Sequence, residues 1–324
     1  MNELEKIRKP IRKELNEFEK YFKDSFKSSL PLLDYITHFI LRRKGKQIRP
    51  TFVFLTSSML GGITKSTFVA ASLIELLHTA SLVHDDVVDE SYERRGFFPI
   101  RALWRSKIAV LVGDYMLAKG LLLSVKHKEF DLLEIVSNAV KDMSEGELLQ
   151  IRKSRKLNIT MSEYFDVITK KTAALISACT AAGARAYRDD HELVDKMRDF
   201  GLNVGIAFQI KDDLFDYQRN GKIGKPTAND IKEKKMTLPL IYTLENCTKS
   251  ERKEIIGIIK KESINSGQVN KVFDYVNKYN GLEYASSKMY SYRDRALSLL
   301  DSFPDNESKR ALISLVNFTV ERKK

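Results

Sequence analysis

Apolar residues along most of this chain recur at intervals of three and four, as in Leu15, Phe18, Tyr21 and Phe22, and again in Leu193, Val194, Met197 and Phe200. That spacing gathers side chains on one stripe of a helix, whereas a half-buried strand needs alternation at two. The 15 Gly and 7 Pro fall at intervals that suit helix ends. Helices are expected over about 3–22, 28–43, 50–60, 66–92, 101–125, 128–152, 161–185, 190–219, 236–246, 250–262, 267–278, 281–301 and 306–321. No Ser/Gly-rich linker, low-complexity tract or strong internal repeat divides them, so residues 1–324 are expected to form one all-α domain.

Two acidic runs interrupt the apolar pattern. The first is Leu82-Val83-His84-Asp85-Asp86-Val87-Val88-Asp89, inside an apolar stretch that begins near Phe68. On a helix Asp85 and Asp89 stand about 40° apart in azimuth and one turn from each other, with Asp86 beside them. The second run, Phe208-Gln209-Ile210-Lys211-Asp212-Asp213-Leu214-Phe215-Asp216, repeats the aspartate spacing. One DDxxD alone reads equally well as a solvated helix face. Two copies, each embedded in apolar residues, do not. Carboxylates this close disfavour one another's ionisation and ask for a cation. Mg²⁺ suits them, because it takes one or two carboxylates together with water and phosphate oxygens.

Composition narrows the partners. Lys and Arg number 55 against 43 Asp and Glu, a formal charge of +12 that fits anionic ligands or anionic lipid surfaces. Nucleic acid is disfavoured, since no basic run is dense and there is one Trp for stacking. Cys179 and Cys247 are isolated in apolar helical contexts and indicate neither a disulfide framework nor a zinc site. A charged N-terminus without an apolar signal region, and no run approaching the ~20 uninterrupted apolar residues of a membrane span, give the expectation of a cytoplasmic protein.

Basic residues fall where a diphosphate could use them. Gly45 and Pro50 bracket a turn that presents Lys46 and Arg49 at a helix start. This is a diphosphate cradle or simply a solvated basic turn. His78 precedes Asp85 by close to two helical turns and so shares its face, as a functional group or as a structural histidine; His84 reads as structural. Arg94 and Arg95 follow the first run, and guanidinium matches phosphate oxygens bidentately. Lys225 and Lys235 follow the second run as point charges. Gly113-Asp114-Tyr115 and Ser144-Glu145-Gly146-Glu147 interrupt apolar segments and read as packing. Lys171 stands at the edge of a helix rich in small residues.

The ordered set GKxxRP, DDxxD followed by RRG, KT, FQxxDDxxD, and GKP with a later KxTLP resembles the trans-isoprenyl (polyprenyl) diphosphate synthases, over about Lys44 to Leu240. Ala228 departs from that pattern, where a glycine is common. The resemblance implies an isoprenoid-synthase-type helical bundle around a deep central cavity, usually homodimeric. It implies that Asp85, Asp86 and Asp89 on one side, and Asp212, Asp213 and Asp216 on the other, hold three Mg²⁺. Arg94, Lys171, Lys225 and Lys235 would bind the allylic prenyl diphosphate, and Lys46, Arg49, His78 and Arg95 isopentenyl diphosphate. Thr172 and Gln209 would supply dipoles near the allylic cation, and Phe208 is cavity lining or core.

Product length is a steric question. Ala80 and Ser81 lie about 6–8 Å below Asp85, and Leu77 and Leu73 about 12–18 Å below it. Ala80 and Ser81 are small, which resembles the long-chain makers of this family, so products of about C30 to C40 are favoured and a phenylalanine at position 80 should shorten them. A product of that size implies transient contact with a membrane surface and serves quinone side chains in such families. The rival readings are a shorter-chain geranylgeranyl or farnesyl diphosphate synthase, a class I terpene cyclase, and a non-catalytic partner subunit. A cyclase would pair its aspartates with a different metal motif, and a non-catalytic subunit would have lost aspartates or lysines that are present here.

Overall fold

The computed structural model describes residues 2–42, 46–88, 100–154, 157–217, 229–261 and 263–322, and all regular structure among them is helical. The helices are α1 (Glu3–Ile7), α2 (Arg12–Ser25), α3 (Pro31–Arg42), α4 (Ile48–Leu60), α5 (Lys65–Val88), α6 (Ile100–His127), α7 (Phe130–Ser154) and α8 (Met161–Ile168). They continue with α9 (Ala174–Tyr187), α10 (His191–Asp216), α11 (Asn229–Lys232), α12 (Leu238–Asn246), α13 (Lys249–Ile259), α14 (Ser266–Lys278), α15 (Gly281–Leu299) and α16 (Glu307–Glu321). Two expected helices are interrupted. Pro10, which lacks an N–H and clashes with the preceding turn, forces a short 3₁₀ turn at Lys9–Ile11 between α1 and α2. A π turn at Thr169–Ala173 joins α8 to α9, with the Ala174 N–H reaching back to the Thr169 carbonyl. Periodicity alone did not reveal it.

These helices pack as two compact units. The first comprises Met1–Val140, Ala178–Arg198 and Ser302–Ser314; the second comprises Lys141–Ser177, Asp199–Asp301 and Leu315–Lys324. In the first unit α4 is apolar on every side, and Phe52, Val53, Phe54 and Leu55 are fully buried. A helix of that kind belongs in a core. Phe54 meets Phe18 of α2 edge-on at 5.5 Å and Phe68 of α5 at 5.1 Å between ring centroids, geometry that ring quadrupoles favour. After α4 the chain turns at Gly61 and Gly62, with φ of +143° and +156° that side-chain-bearing residues rarely adopt.

The second unit builds its core around α12. Leu238 and Ile241 pack with Tyr164 and Ile168 of α8, Ile206, Ile210 and Leu214 of α10, and Met289 of α15. Leu240 and Leu244 turn toward Ile255, Val272 and Val276 of α13 and α14. Capping boxes fix the starts of α8, α13 and α14, through Thr160 with Glu163, Thr248 with Glu251, and Asn265 with Gln268.

Average hydropathy adds to the expectation about membrane spans. Two helical stretches, Lys65–Asp85 and Ser106–His127, are long and apolar enough on average to cross a membrane, although charged residues interrupt both. The first is mostly buried within the protein, as a core helix is. The second is not, and leaves Val110, Leu111, Leu121, Leu122 and Val125 exposed.

Close approach within the first unit gives a stability test. A Cβ added to Gly183 of α9 would stand 2.7 Å from the carbonyl oxygen of Val53 and 3.0 Å from Cβ of Thr56. The Ser57 hydroxyl also donates to the Gly183 carbonyl at 2.6 Å. Gly183→Ala is expected to destabilise the protein by about 1–3 kcal/mol, read as a lower midpoint in thermal or denaturant unfolding.

Candidate active site

Within the first unit, α4 and α5 bring Arg49 and His78 together. The Arg49 guanidinium donates to Glu75 at 3.2 Å through one nitrogen and meets His78 Nε2 through the other. Glu75 thus orients the arginine, and Arg49 fixes the imidazole on the same face. The preceding turn is held by Gln47, in a left-handed conformation with φ of 42°, and by the guanidinium of Arg8, which donates to the carbonyl of Lys46. Lys46 itself is exposed. A left-handed non-glycine residue costs about 1–2 kcal/mol, so packing must impose it.

Asp85 and Asp86 lie in the last turn of α5, with Asp85 partly exposed. His84, read as structural, contacts α6: its Nε2 stands 3.3 Å from the Val110 carbonyl and 3.5 Å from an Asp114 carboxylate oxygen. Gly113 makes room for it, since a Cβ there would come within 2.2 Å of the imidazole. Lower on α5, Ser81 rather than Ala80 is the small residue left partly open. Ala80 is fully buried among Leu76, Val112, Met116, Phe26 and Ile36, so a phenylalanine there would meet a filled core. Ser81 is partly exposed and Leu77 packs near Gly120.

In the second unit the π turn carries Lys171 and Thr172, and single π turns of this kind mark functional positions. Lys171 Nζ stands 2.5 Å from a Glu147 carboxylate oxygen and donates to Gln150 Oε1 at 2.6 Å; Lys170 pairs with Glu145 at 2.5 Å. The segment read as packing, Ser144 to Glu147, is therefore the wall that the lysines face. Thr172 donates to Gln209 Oε1 at 2.8 Å, and Gln209 Nε2 donates to Asp213 Oδ1 at 2.9 Å.

The carboxylates of α10 are not equivalent. Asp213 is 6% exposed and accepts from Gln209, from the Tyr164 hydroxyl at 2.7 Å and from the Leu238 N–H at 3.4 Å. Burial pushes its carboxyl up to about 6 despite those donors. Asp216 is also buried and accepts the Asp230 N–H at 3.1 Å. Asp212 is more open, pairing with the Arg322 guanidinium, which lies over the rings of Phe208 at 4.2 Å and Phe215 at 5.3 Å. Phe208 thus supports a cation. Burial lowers the pKa of Arg322 and Asp212 works against that.

Asp230 was absent from the expected carboxylates. Burial, then Asp216 and Asp213, push its carboxyl up to about 7, and Lys235 at 3.9 Å only partly offsets them. Lys235 also pairs with Glu233 at 2.5 Å. Tyr164 and Arg322 were missed too. A tyrosine in a helix and a basic C-terminal end are visible in sequence, but nothing there ties them to particular carboxylates. The expected site residues Asp89, Arg94, Arg95 and Lys225 lie outside the described residues.

The donor set suits a hard cation. Clustered carboxylates raise one another's pKa, and magnesium relieves such repulsion while leaving positions for water and phosphate oxygens. Among the described residues no group of three or more His, Cys, Asp or Glu forms a ready-made metal cage. A site of one or two carboxylates completed by a phosphate ligand needs none.

Fold and site together define an all-α protein of the isoprenoid synthase type. The decaprenyl diphosphate synthase of Rhodobacter capsulatus superposes with a TM-score of 0.91 at 31% identity, covering 98% of each chain. A geranylgeranyl pyrophosphate synthase from Bacteroides thetaiotaomicron matches with a TM-score of 0.82 at 35% identity, over 99% of this chain and 100% of the other. Among sequences, the octaprenyl diphosphate synthase of Escherichia coli is 31% identical over 320 residues, 98% of this chain and 99% of that one. Residues 30–276 match the polyprenyl synthetase family. The chain belongs to that family and is a prenyltransferase, a trans-polyprenyl diphosphate synthase.

The acid cluster predicts a pH dependence. A buried carboxyl whose folded pKa is raised binds its proton more tightly folded than unfolded. Its destabilising effect is therefore absent below the unfolded value near 3.8 and grows as pH rises to about 7, the folded value for Asp230. Asp230→Asn is expected to raise the unfolding midpoint of the metal-free protein at pH 8 and to leave it nearly unchanged at pH 4. Thermal unfolding of both proteins across that range in chelator checks the difference.

Proposed function

We propose that this protein condenses an allylic prenyl diphosphate with isopentenyl diphosphate, head to tail and with magnesium, to give an all-trans polyprenyl diphosphate of about C30 to C40. The observation that carries the reading is in the second unit: a lysine-bearing π turn hydrogen-bonded through Thr172 and Gln209 to the aspartate-rich end of α10. Asp212, Asp213 and Asp216, with Asp85, Asp86 and Asp89, are the proposed source of carboxylate ligands for three Mg²⁺. Bound magnesium would take up the negative charge of the departing diphosphate.

The chain's own residues do the rest. Lys171 and Lys235, with Arg94 and Lys225, hold the allylic diphosphate oxygens as point charges and guanidinium forks. Arg49 and His78, with Lys46 and Arg95, hold isopentenyl diphosphate. As the allylic C–O bond breaks, the Thr172 hydroxyl and Gln209 amide turn dipoles toward the cation. The C4 alkene carbon of isopentenyl diphosphate attacks C1, and a proton passes to the released diphosphate. No side-chain base is required.

Product length and assembly are part of the same proposal. Relatives carry names from geranylgeranyl, in Saccharolobus solfataricus, to octaprenyl, in Escherichia coli, so kinship leaves length open. The small, partly exposed Ser81 favours the longer range, with geranylgeranyl or farnesyl products as the shorter alternative. The apolar outer face of α6, where Leu111 is 57% and Leu122 64% exposed, supports a homodimer covering that face. One polyprenyl synthase domain in the cytoplasm, touching a membrane surface to release product, completes the reading; two free cysteines are compatible with a reducing compartment.

Two experiments test it. Purified protein incubated with farnesyl diphosphate, labelled isopentenyl diphosphate and Mg²⁺ should yield labelled lipid, and Asp212→Ala should lower the rate by roughly a hundredfold or more. Diphosphate release without incorporation of label would identify a cyclase instead, and no reaction at all a non-catalytic subunit. In the same assay Ser81→Phe should shorten the extracted product, and an unchanged product length would defeat the excluded-volume account.

A further inference from the structure

Tyr164 is 3% exposed, in an α8 whose start is fixed by the Thr160 and Glu163 capping box. Its hydroxyl donates to Asp213 Oδ2 at 2.7 Å, and burial next to that carboxylate raises its pKa well above the ordinary tyrosine value. The helix runs directly into the π turn, whose Thr172 reaches the same aspartate through Gln209. One continuous segment is thus tied to α10 twice, at its beginning by Tyr164 and at its end by Thr172. Both tethers converge on the two oxygens of a single carboxylate.

Packing closes the arrangement from both sides. A Cβ on Gly205 of α10 would stand 2.5 Å from Cα of Ala173, and one on Gly146 of α7 would stand 2.6 Å from the Lys171 nitrogen. The turn therefore lies directly against two backbones, and the hydrogen bonds that run to Asp213 tie it to α10 as well. Tyr164, Gln209 and the Leu238 N–H fix the orientation of the Asp213 carboxylate, while Asp212 on the same helix end is more open.

We propose that Tyr164 is a positioning residue: by holding Asp213 it sets where the π turn presents Lys171 and Thr172 to a diphosphate. This rests on the diphosphate-handling reading above and adds to it a residue that touches neither substrate nor metal.

The test is Tyr164→Phe, which keeps the ring and removes only the hydroxyl. Wild type and variant are titrated calorimetrically with inorganic pyrophosphate in magnesium chloride, at a temperature where circular dichroism shows both folded. Pyrophosphate affinity is expected to fall about five- to tenfold and kcat by at least as much. Combined with Thr172→Val, the two losses should be less than multiplicative, because both tethers hold one turn. Unchanged affinity and kcat, with or without a lower unfolding midpoint, would make Tyr164 an ordinary core residue and overturn the proposal. Strictly multiplicative losses would overturn it as well. A wild-type protein that fails to bind pyrophosphate with magnesium would count against the diphosphate-handling function itself, which keeps the two failures distinct.

Discussion

The close approach of backbone to backbone at the π turn is the constraint on which the lysine side of the site depends. Gly205 and Gly146 leave no side chain between that turn and helices α10 and α7. Interiors are packed nearly as densely as organic crystals, so removing two side-chain positions brings elements together at a distance no rotamer change could reach. At that distance short polar side chains suffice: Thr172 reaches Gln209, and Gln209 reaches Asp213. The polar network is a consequence of the glycines as much as of its own members.

Electrostatics works against stability in the same place. Asp213 and Asp216 are buried and Asp230 is partly so, and burial raises the pKa of the first and last of them. Nearby cations answer only in part, with Lys235 drawn to Glu233 as well as Asp230, and Arg322 spent on Asp212. Such a cluster is costly in an isolated protein and suited to one that gathers divalent cations and phosphate oxygens. Marginal local stability at a site is the ordinary consequence of shaping it for a charged ligand.

Much of this was legible along the chain. The two aspartate runs stood out because acidic residues inside apolar helices have no structural reason to be there, and Arg49 and His78, grouped only by the family resemblance, do meet. Other features were not legible. Gly146 looked like packing because a sequence does not say which backbone will lie against it. Tyr164 is buried, and nothing in its neighbours along the chain ties it to Asp213. Arg322 meets Asp212 across 110 residues of separation, and no local pattern carries such a pairing. Ala80 was assigned open space on helical geometry, whereas residues from α2, α3 and α6 fill it.

By itself, then, the sequence determined the helical class and the two aspartate runs, because each depends on short-range periodicity and residue type, and its ordered motifs carried the resemblance that named the chemistry. Tertiary structure alone decided which aspartate is anchored and which is open, where a helix yields to a π turn, and which lysine faces which carboxylate. Those outcomes depend on distances between segments remote in the chain. They are set by the balance of close packing, desolvation and hydrogen bonding where the segments meet, and spacing along one helix does not encode that balance.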